Sequence, residues 1–196
     1  MPFDVFAFKR IGQVVPSNNG KQVVFTVYRV KSNTTEKQWK YSLYLKNSRP
    51  NVEYLDTASS LSSINWSPDN KFISYLTKGN KFQSIWIYDT SNHKKQKLIE
   101  FGTDILSYKW SPNGKNITFT ASLVKQQSKT TFVPMDVRNN YVNTRLYIFY
   151  IKRKSFEALT PDKLSVSQFF VYPGFDWSPD SQSIVFSYQP KPGPVF

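Results

Sequence analysis

The chain has 196 residues, of which 39% are hydrophobic and 17% aromatic, and this composition excludes an intrinsically disordered protein. It has no cysteine, which excludes a disulfide framework, a thiolate zinc site and a cysteine nucleophile. The net charge of +13 favours anionic partners, although eight of the lysines fall in or beside predicted turns and are explained as solvated hairpin tips. No apolar run approaches the roughly 20 residues of a membrane span.

The first predicted element is a short helical segment over residues 1–12. Pro2 lies near its first position, Asp4 lies in its first turn, and Lys9 and Arg10 follow at its end. This order of residues suits the N-terminus and C-terminus of a helix. The segment has no basic and apolar signal pattern, so we expect a cytoplasmic chain as written and a periplasmic one if a signal peptide has been removed, and the sequence leaves the compartment open.

An internal repeat follows the helical segment. A tryptophan precedes Ser-Pro and an Asp-Gly-like pair, and a β-branched and aromatic run comes next, which predicts a strand, a tight turn and a second strand. A weaker copy without the tryptophan starts at Pro16. The motif residues are Trp66, Ser67, Pro68, Asp69, Trp110, Ser111, Pro112, Asn113, Gly114, Trp177, Ser178, Pro179 and Asp180. We interpret the tryptophans as packing residues between sheets, since a repeated aromatic at a fixed position is typical of a β-propeller.

The copies recur at intervals of 50, 44 and 67 residues, and the first two intervals match a propeller blade. Further β-rich segments after each turn bring the count to four strands per repeat. We therefore predict an all-β partial propeller, one domain over residues 1–196, with three four-stranded blades and the first hairpin of a fourth. The predicted blades span 13–58, 59–102, 103–162 and 163–196.

The long third interval indicates an insertion at residues 123–143 of the third blade. It carries the candidate partner-facing residues Phe132, Met135, Arg138 and Tyr141. Insertions on one face of a repeat protein often form its binding face. The alternative is a long hairpin that covers a neighbouring blade.

A search for catalytic and cofactor motifs gives none. The single histidine, His93, falls in a polar turn, and the chain has no Gly-x-Ser-x-Gly sequence and no glycine-rich phosphate loop. We expect no cofactor, no metal site and no catalytic residue in this chain. The sequence also lacks a known nucleic-acid-binding module, which argues against nucleic acid as a partner.

The repeated Trp-Ser-Pro turn resembles the propeller repeat of TolB and of the N-terminal domains of the prolyl oligopeptidase family. The order of the motifs is more specific: Phe8 to Gly12 precede the weak first turn, the insertion ends in Arg145-Leu146-Tyr147, and Gly174 to Asp180 contain the last copy. This succession covers nearly the whole chain and resembles the acylaminoacyl-peptidase and dipeptidyl-aminopeptidase branch.

The resemblance implies the front part of a propeller that sits over an α/β-hydrolase domain carrying serine, aspartate and histidine. The expected function is to gate and orient peptide substrates for that missing domain, so this chain would be no enzyme although its parent would be a serine peptidase. The alternative is a TolB-like module that binds a protein partner and has no peptidase domain. Three blades and a hairpin do not close a ring, so we expect the chain to be part of a longer one.

Overall fold

The computed structural model describes residues 9–31, 38–79, 81–122, 144–162, 164–166 and 174–190. All regular secondary structure in these residues is β-strand. The chain comprises two compact units, Met1–Glu100 and Phe101–Phe196. The predicted all-β fold class is confirmed.

The first unit contains two four-stranded antiparallel sheets, each a simple meander in chain order. The first sheet consists of β1 (Arg10–Pro16), β2 (Val23–Lys31), β3 (Gln38–Lys46) and β4 (Val52–Ala58). The second consists of β5 (Ser62–Trp66), β6 (Phe72–Lys78), β7 (Gln83–Asp89) and β8 (Lys94–Ile99). Because consecutive strands of the first sheet run antiparallel, β1 joins β2 and β3 joins β4 at one end of the sheet, and β2 and β3 are connected at the other.

Both sheets of the first unit contribute to one hydrophobic core. The alternation of the strands directs one face of each sheet inward. The first sheet contributes Val24, Leu43 and Leu45, and the second contributes Ile64, Trp66, Ile73 and Tyr75. These side chains are almost fully buried, so the two sheets stabilise each other by removing apolar surface from water.

The second unit contains a third four-stranded sheet and two short strand pairs. The sheet consists of β9 (Ile105–Trp110), β10 (Asn116–Ser122), β11 (Thr144–Tyr150) and β12 (Ser155–Ala158). The pairs are formed by β13 (Leu164–Val166) with β16 (Tyr188–Pro190), and by β14 (Phe175–Trp177) with β15 (Ile184–Phe186). Leu146 of β11 packs with Val166 and Phe175, so the short pairs share a core with the third sheet. This arrangement matches the predicted three blades and a further hairpin.

One local prediction needs correction. The predicted helical segment 1–12 is wrong at its end, because Arg10, Ile11 and Gly12 belong to β1, where Arg10 and Ile11 pair with Tyr28 and Val27. Residues 1–8 lie outside the described residues. Near the C-terminus, Pro190 pairs with Leu164 at the last position of β16, where its missing N–H interrupts no further ladder bond. The four blade boundaries stay predictions, since the structure divides the chain only into the two compact units.

Candidate functional site

The repeated turn has one hydrogen-bond network in all its copies. In the second copy the Ser67 hydroxyl donates to Asp69 Oδ1 at 2.6 Å and accepts from the Phe72 amide at 2.9 Å. Asp69 Oδ1 also accepts from the Lys71 amide at 3.1 Å. Serine and aspartate therefore satisfy the backbone donors that the turn exposes, which is the physical reason for their repetition.

The other three copies repeat this geometry with small changes of residue type. The serine hydroxyl donates to the side-chain oxygen two residues later over 2.8 Å in the first copy, 2.8 Å in the third and 2.5 Å in the fourth. The serine–acceptor pairs are Ser17 with Asn19, Ser111 with Asn113, and Ser178 with Asp180. The weak first copy thus forms the same turn as the others.

The fourth position of each turn has a left-handed backbone. The φ values are 69° at Gly20, 60° at Asn70, 69° at Gly114 and 63° at Ser181. The two residues here that are not glycine contact the preceding turn: Asn70 Oδ1 accepts from the Asn18 amide at 2.7 Å, and Ser181 Oγ accepts from the Asn113 amide at 3.0 Å. Their side chains link neighbouring turns within one unit and so offset the cost of a left-handed conformation.

The three motif tryptophans differ in their surroundings. Trp66 is buried in the core of the first unit, and its Nε1 donates to the Val15 carbonyl at 3.1 Å. Trp110 and Trp177 are half-buried in the second unit. Among the described residues, Trp177 Nε1 is buried and finds no acceptor. The candidate partner-facing residues Phe132, Met135, Arg138 and Tyr141 lie outside the described residues, and their role stays a prediction.

A polar cluster lies between the two sheets of the first unit, and we call it the inter-sheet cluster. Its first half is centred on the buried carboxylate of Asp56. Asp56 Oδ2 accepts from the Tyr75 hydroxyl at 2.7 Å, and Oδ1 accepts from Lys95 Nζ at 2.7 Å and from the Thr57 amide at 2.8 Å. This carboxylate joins β4 to β6 and β8, with its desolvation offset by charge-assisted hydrogen bonds.

The second half of the inter-sheet cluster is centred on Glu53. Its Oε1 accepts from the Tyr88 hydroxyl at 2.6 Å and lies 2.7 Å from His93 Nδ1. Burial opposes ionisation of Glu53, but the two hydrogen bonds and the charges of His93 and Arg49 outweigh it and hold the pKa of Glu53 below its usual value. Burial, together with the hydrogen bond and the charge of Glu53, raises the pKa of Tyr88.

The sequence places His93 correctly in an exposed turn but gives no sign of its contacts. Its side chain is 59% exposed, and its backbone is left-handed with a φ of 57°. Glu53 is 40 residues away in the chain, so only the pairing of the sheets brings them together. Within the described residues, the side-chain contacts of His93 are with Glu53 and Tyr88, and the contact with Glu53 ties the turn after β7 to the first sheet.

Two further searches of the described residues give negative results. No group of three or more histidine, cysteine or acidic side chains there could hold a metal ion. No helix in that part of the chain has the length and apolar character needed to span a membrane.

Comparison with known proteins identifies the fold. No protein-family model and no curated protein matches the chain. Among solved structures, the acylaminoacyl peptidase of Pyrococcus horikoshii is similar with a TM-score of 0.63 and 13% identity, covering 87% of this chain and 27% of that protein. TolB from Acinetobacter baumannii has a TM-score of 0.56 and 18% identity, covering 92% of this chain and 38% of TolB.

The β-propeller domain of the Trilobed protease from Pyrococcus furiosus is also similar, with a TM-score of 0.54 and 14% identity over 86% of this chain and 47% of that domain. The chain therefore spans between about a quarter and a half of these structures. The resemblance in fold to peptidase propellers and to TolB is confirmed.

Proposed function

We propose that this chain is the non-catalytic propeller portion of a serine exopeptidase of the acylaminoacyl- or dipeptidyl-peptidase type. In this proposal it gates and orients peptide substrates for an α/β-hydrolase domain outside the chain. The observation that carries the proposal is the structural similarity to an acylaminoacyl peptidase over 87% of the chain. The order of the repeat motifs along the sequence, with the long insertion before Arg145, supports the same branch.

The residues available for chemistry support a non-catalytic role for this part. A serine triad would have to use the single histidine, His93, and within the described residues its side chain contacts Glu53 and Tyr88 but no serine hydroxyl. The sequence has no Gly-x-Ser-x-Gly elbow to present a nucleophilic serine. The hydrolytic machinery of the proposed parent is therefore expected in another domain.

The experiment compares this chain with any longer product of its gene. We expect the purified chain to resist labelling by a fluorophosphonate probe and to leave an acetyl-alanyl chromogenic substrate intact. A longer product is expected to cleave the substrate, and removal of residues 1–196 from it is expected to admit longer peptides. Hydrolysis by this chain alone, absent from a mock purification of cells without the gene, would contradict the proposal.

A second candidate function is a TolB-like module that binds a protein partner without any peptidase domain. The similarity to TolB over 92% of the chain favours it. The coding sequence after Phe196 discriminates the two functions. Further blades followed by a nucleophile elbow and a later aspartate and histidine support the peptidase, whereas further blades and then a stop codon support the binding module.

A further inference from the structure

The far end of the β2–β3 hairpin carries three aromatic side chains on one face of the first sheet. β2 and β3 each have nine residues, whereas β6 and β7 of the second sheet have seven. Tyr28 and Tyr41 pair across the strands and stack with ring centroids 5.6 Å apart. The ring centroid of Trp39 lies 5.8 Å from that of Tyr28 and 6.5 Å from that of Tyr41, and Trp39 remains 45% exposed. An exposed indole beside two phenols is an apolar patch with polar edges.

Three cations lie on the strands at this end of the sheet, one on the aromatic face and two on the opposite face. Arg10 pairs with Tyr28 and is exposed on the aromatic face, and Arg29 pairs with Lys40 on the opposite face of the same hairpin. Two like charges directly opposite each other destabilise a sheet, so Arg29 and Lys40 are not explained by the stability of the strand pair.

The carboxylates described in the first unit have other partners. Glu53 and Asp56 belong to the inter-sheet cluster, Asp69 and Asp89 hold their own turns, and Glu100 contacts Lys97. The adjoining sequence 32–37 contains Glu36 and Lys37, whose charges cancel. The end of the hairpin therefore retains a net positive charge.

The hydrogen-bonding groups here are chiefly donors. Arginine, lysine and indole only donate, and the two phenols donate as well as accept. Such a surface complements an acceptor-rich anion that also has an apolar group for Trp39. Single-stranded nucleic acid needs several free aromatic faces in a row, but Tyr28 and Tyr41 cover each other and leave the indole as the open platform.

We propose that the surface formed by Arg10, Tyr28, Trp39 and Tyr41, with Arg29 and Lys40 behind it, binds an acidic peptide segment that carries an aromatic side chain. The aromatic side chain packs on Trp39, a neighbouring carboxylate pairs with Arg10, and the cations of the opposite face attract the peptide from a distance. This inference rests on the proposed function, because it names the class of peptide that the propeller receives.

The test uses fluorescence anisotropy with the full chain and a labelled peptide of alternating glutamate and phenylalanine. We expect the matched glutamine–phenylalanine peptide to bind about tenfold more weakly than the acidic peptide. We also expect added salt to weaken the binding of the acidic peptide more than that of the glutamine–phenylalanine peptide. Trp39→Ala and Arg10→Glu are each expected to weaken binding about tenfold, and Arg29→Glu with Lys40→Glu by a smaller factor. Lys94→Glu, the same charge change on exposed β8, is the control and is expected to bind like the wild type.

Equal binding of the acidic and glutamine peptides, or wild-type binding by both Trp39→Ala and Arg10→Glu, would overturn the inference. Tighter binding of an oligothymidylate with the same response to the variants would overturn it in favour of nucleic acid. The proposed function is tested separately, with the longer gene product. A neutral peptide that binds elsewhere on the chain would therefore overturn this inference and leave the proposed function intact. Thermal unfolding of each variant shows whether the fold is retained.

Discussion

At the scale of single residues, the fourth position of the repeated turn has a left-handed backbone in every copy but is not always glycine. Glycine is the residue that adopts this conformation without steric cost, and it occupies two of the four copies. Asn70 replaces it where its side chain contacts the Asn18 amide of the preceding turn. The departure from glycine therefore marks a contact between blades.

Substitution of Asn70 separates the backbone cost from this contact. Asn70→Ala keeps the strained backbone and loses the hydrogen bond, so we expect the free energy of unfolding to fall by about 1–2 kcal/mol. Asn70→Gly loses the same bond but relieves the strain and is expected to cost less than half of that. Urea unfolding measures both. Gly20→Ala is the control, because its added Cβ meets no atom within 4 Å and reports the backbone cost alone.

Glu53 provides a pH prediction at the same scale. Its pKa is lower in the folded chain than in the unfolded one, so the unfolded state binds more protons as the pH falls. The stabilisation from Glu53 is therefore complete above the unfolded pKa of about 4.3 and is lost as the pH falls through the folded pKa. We expect Glu53→Gln to lose less stability than the wild type between neutral and acidic pH in urea titrations.

The control for the pH experiment is Glu100→Gln, which removes an exposed carboxylate that contacts Lys97. It should retain the wild-type loss of stability at acidic pH. If Glu53→Gln shows the full wild-type loss, the contacts with Tyr88 and His93 do not stabilise the carboxylate in solution.

At the scale of strands and turns, the bulge in β1 depends on one glycine. The register of β1 and β2 shifts between Ile11 and Val14, and a Cβ on Gly12 would lie 2.6 Å from Thr26 Oγ1. That hydroxyl is buried and accepts from the Gln13 amide at 2.9 Å. Because Gly12 has no Cβ, β1 can come close to Thr26, whose hydroxyl accepts a hydrogen bond from the Gln13 amide in the bulge.

We expect Gly12→Ala to lower the free energy of unfolding by about 1–3 kcal/mol, because the clash involves a buried side chain that is held by a hydrogen bond. Thr26→Ala in the same chain makes room for the methyl group of Ala at position 12. The double variant should therefore lose less free energy of unfolding than the sum of the losses in the two single variants. Thermal unfolding of the four proteins forms the cycle. Strict additivity would mean that the bulge rearranges to avoid Thr26.

The elements also show which features the sequence can reveal. The turns are predictable because Ser67, Asp69 and their counterparts act within five residues of each other. The sequence does not predict the contact of Glu53 with His93 or the pairing of Leu164 with Pro190. Both join segments that are far apart in the chain, and neither has a repeated pattern. The surface at the end of the β2–β3 hairpin gives no sequence signal for the same reason, since its cations come from three different strands.

At the scale of the whole molecule, the two sheets of the first unit depend on each other. Val24, Leu43 and Leu45 of the first sheet are covered by side chains of the second, such as Tyr75. A lone four-stranded sheet would expose this face to water, whereas the pair buries it. The boundary of the first unit after Glu100 therefore defines a candidate for independent folding.

We expect a fragment of residues 1–100 to unfold cooperatively with heat, and a fragment of residues 1–58, which holds the first sheet alone, to give no cooperative transition. Circular dichroism at several protein concentrations checks both fragments and exposes any association through Ile11 and Val14, which are largely exposed in the full chain. A cooperative transition in 1–58 would mean that the first sheet is stable without the shared core. Its absence in both fragments would mean that the first unit needs the second, and that the propeller folds only as a longer stack of blades.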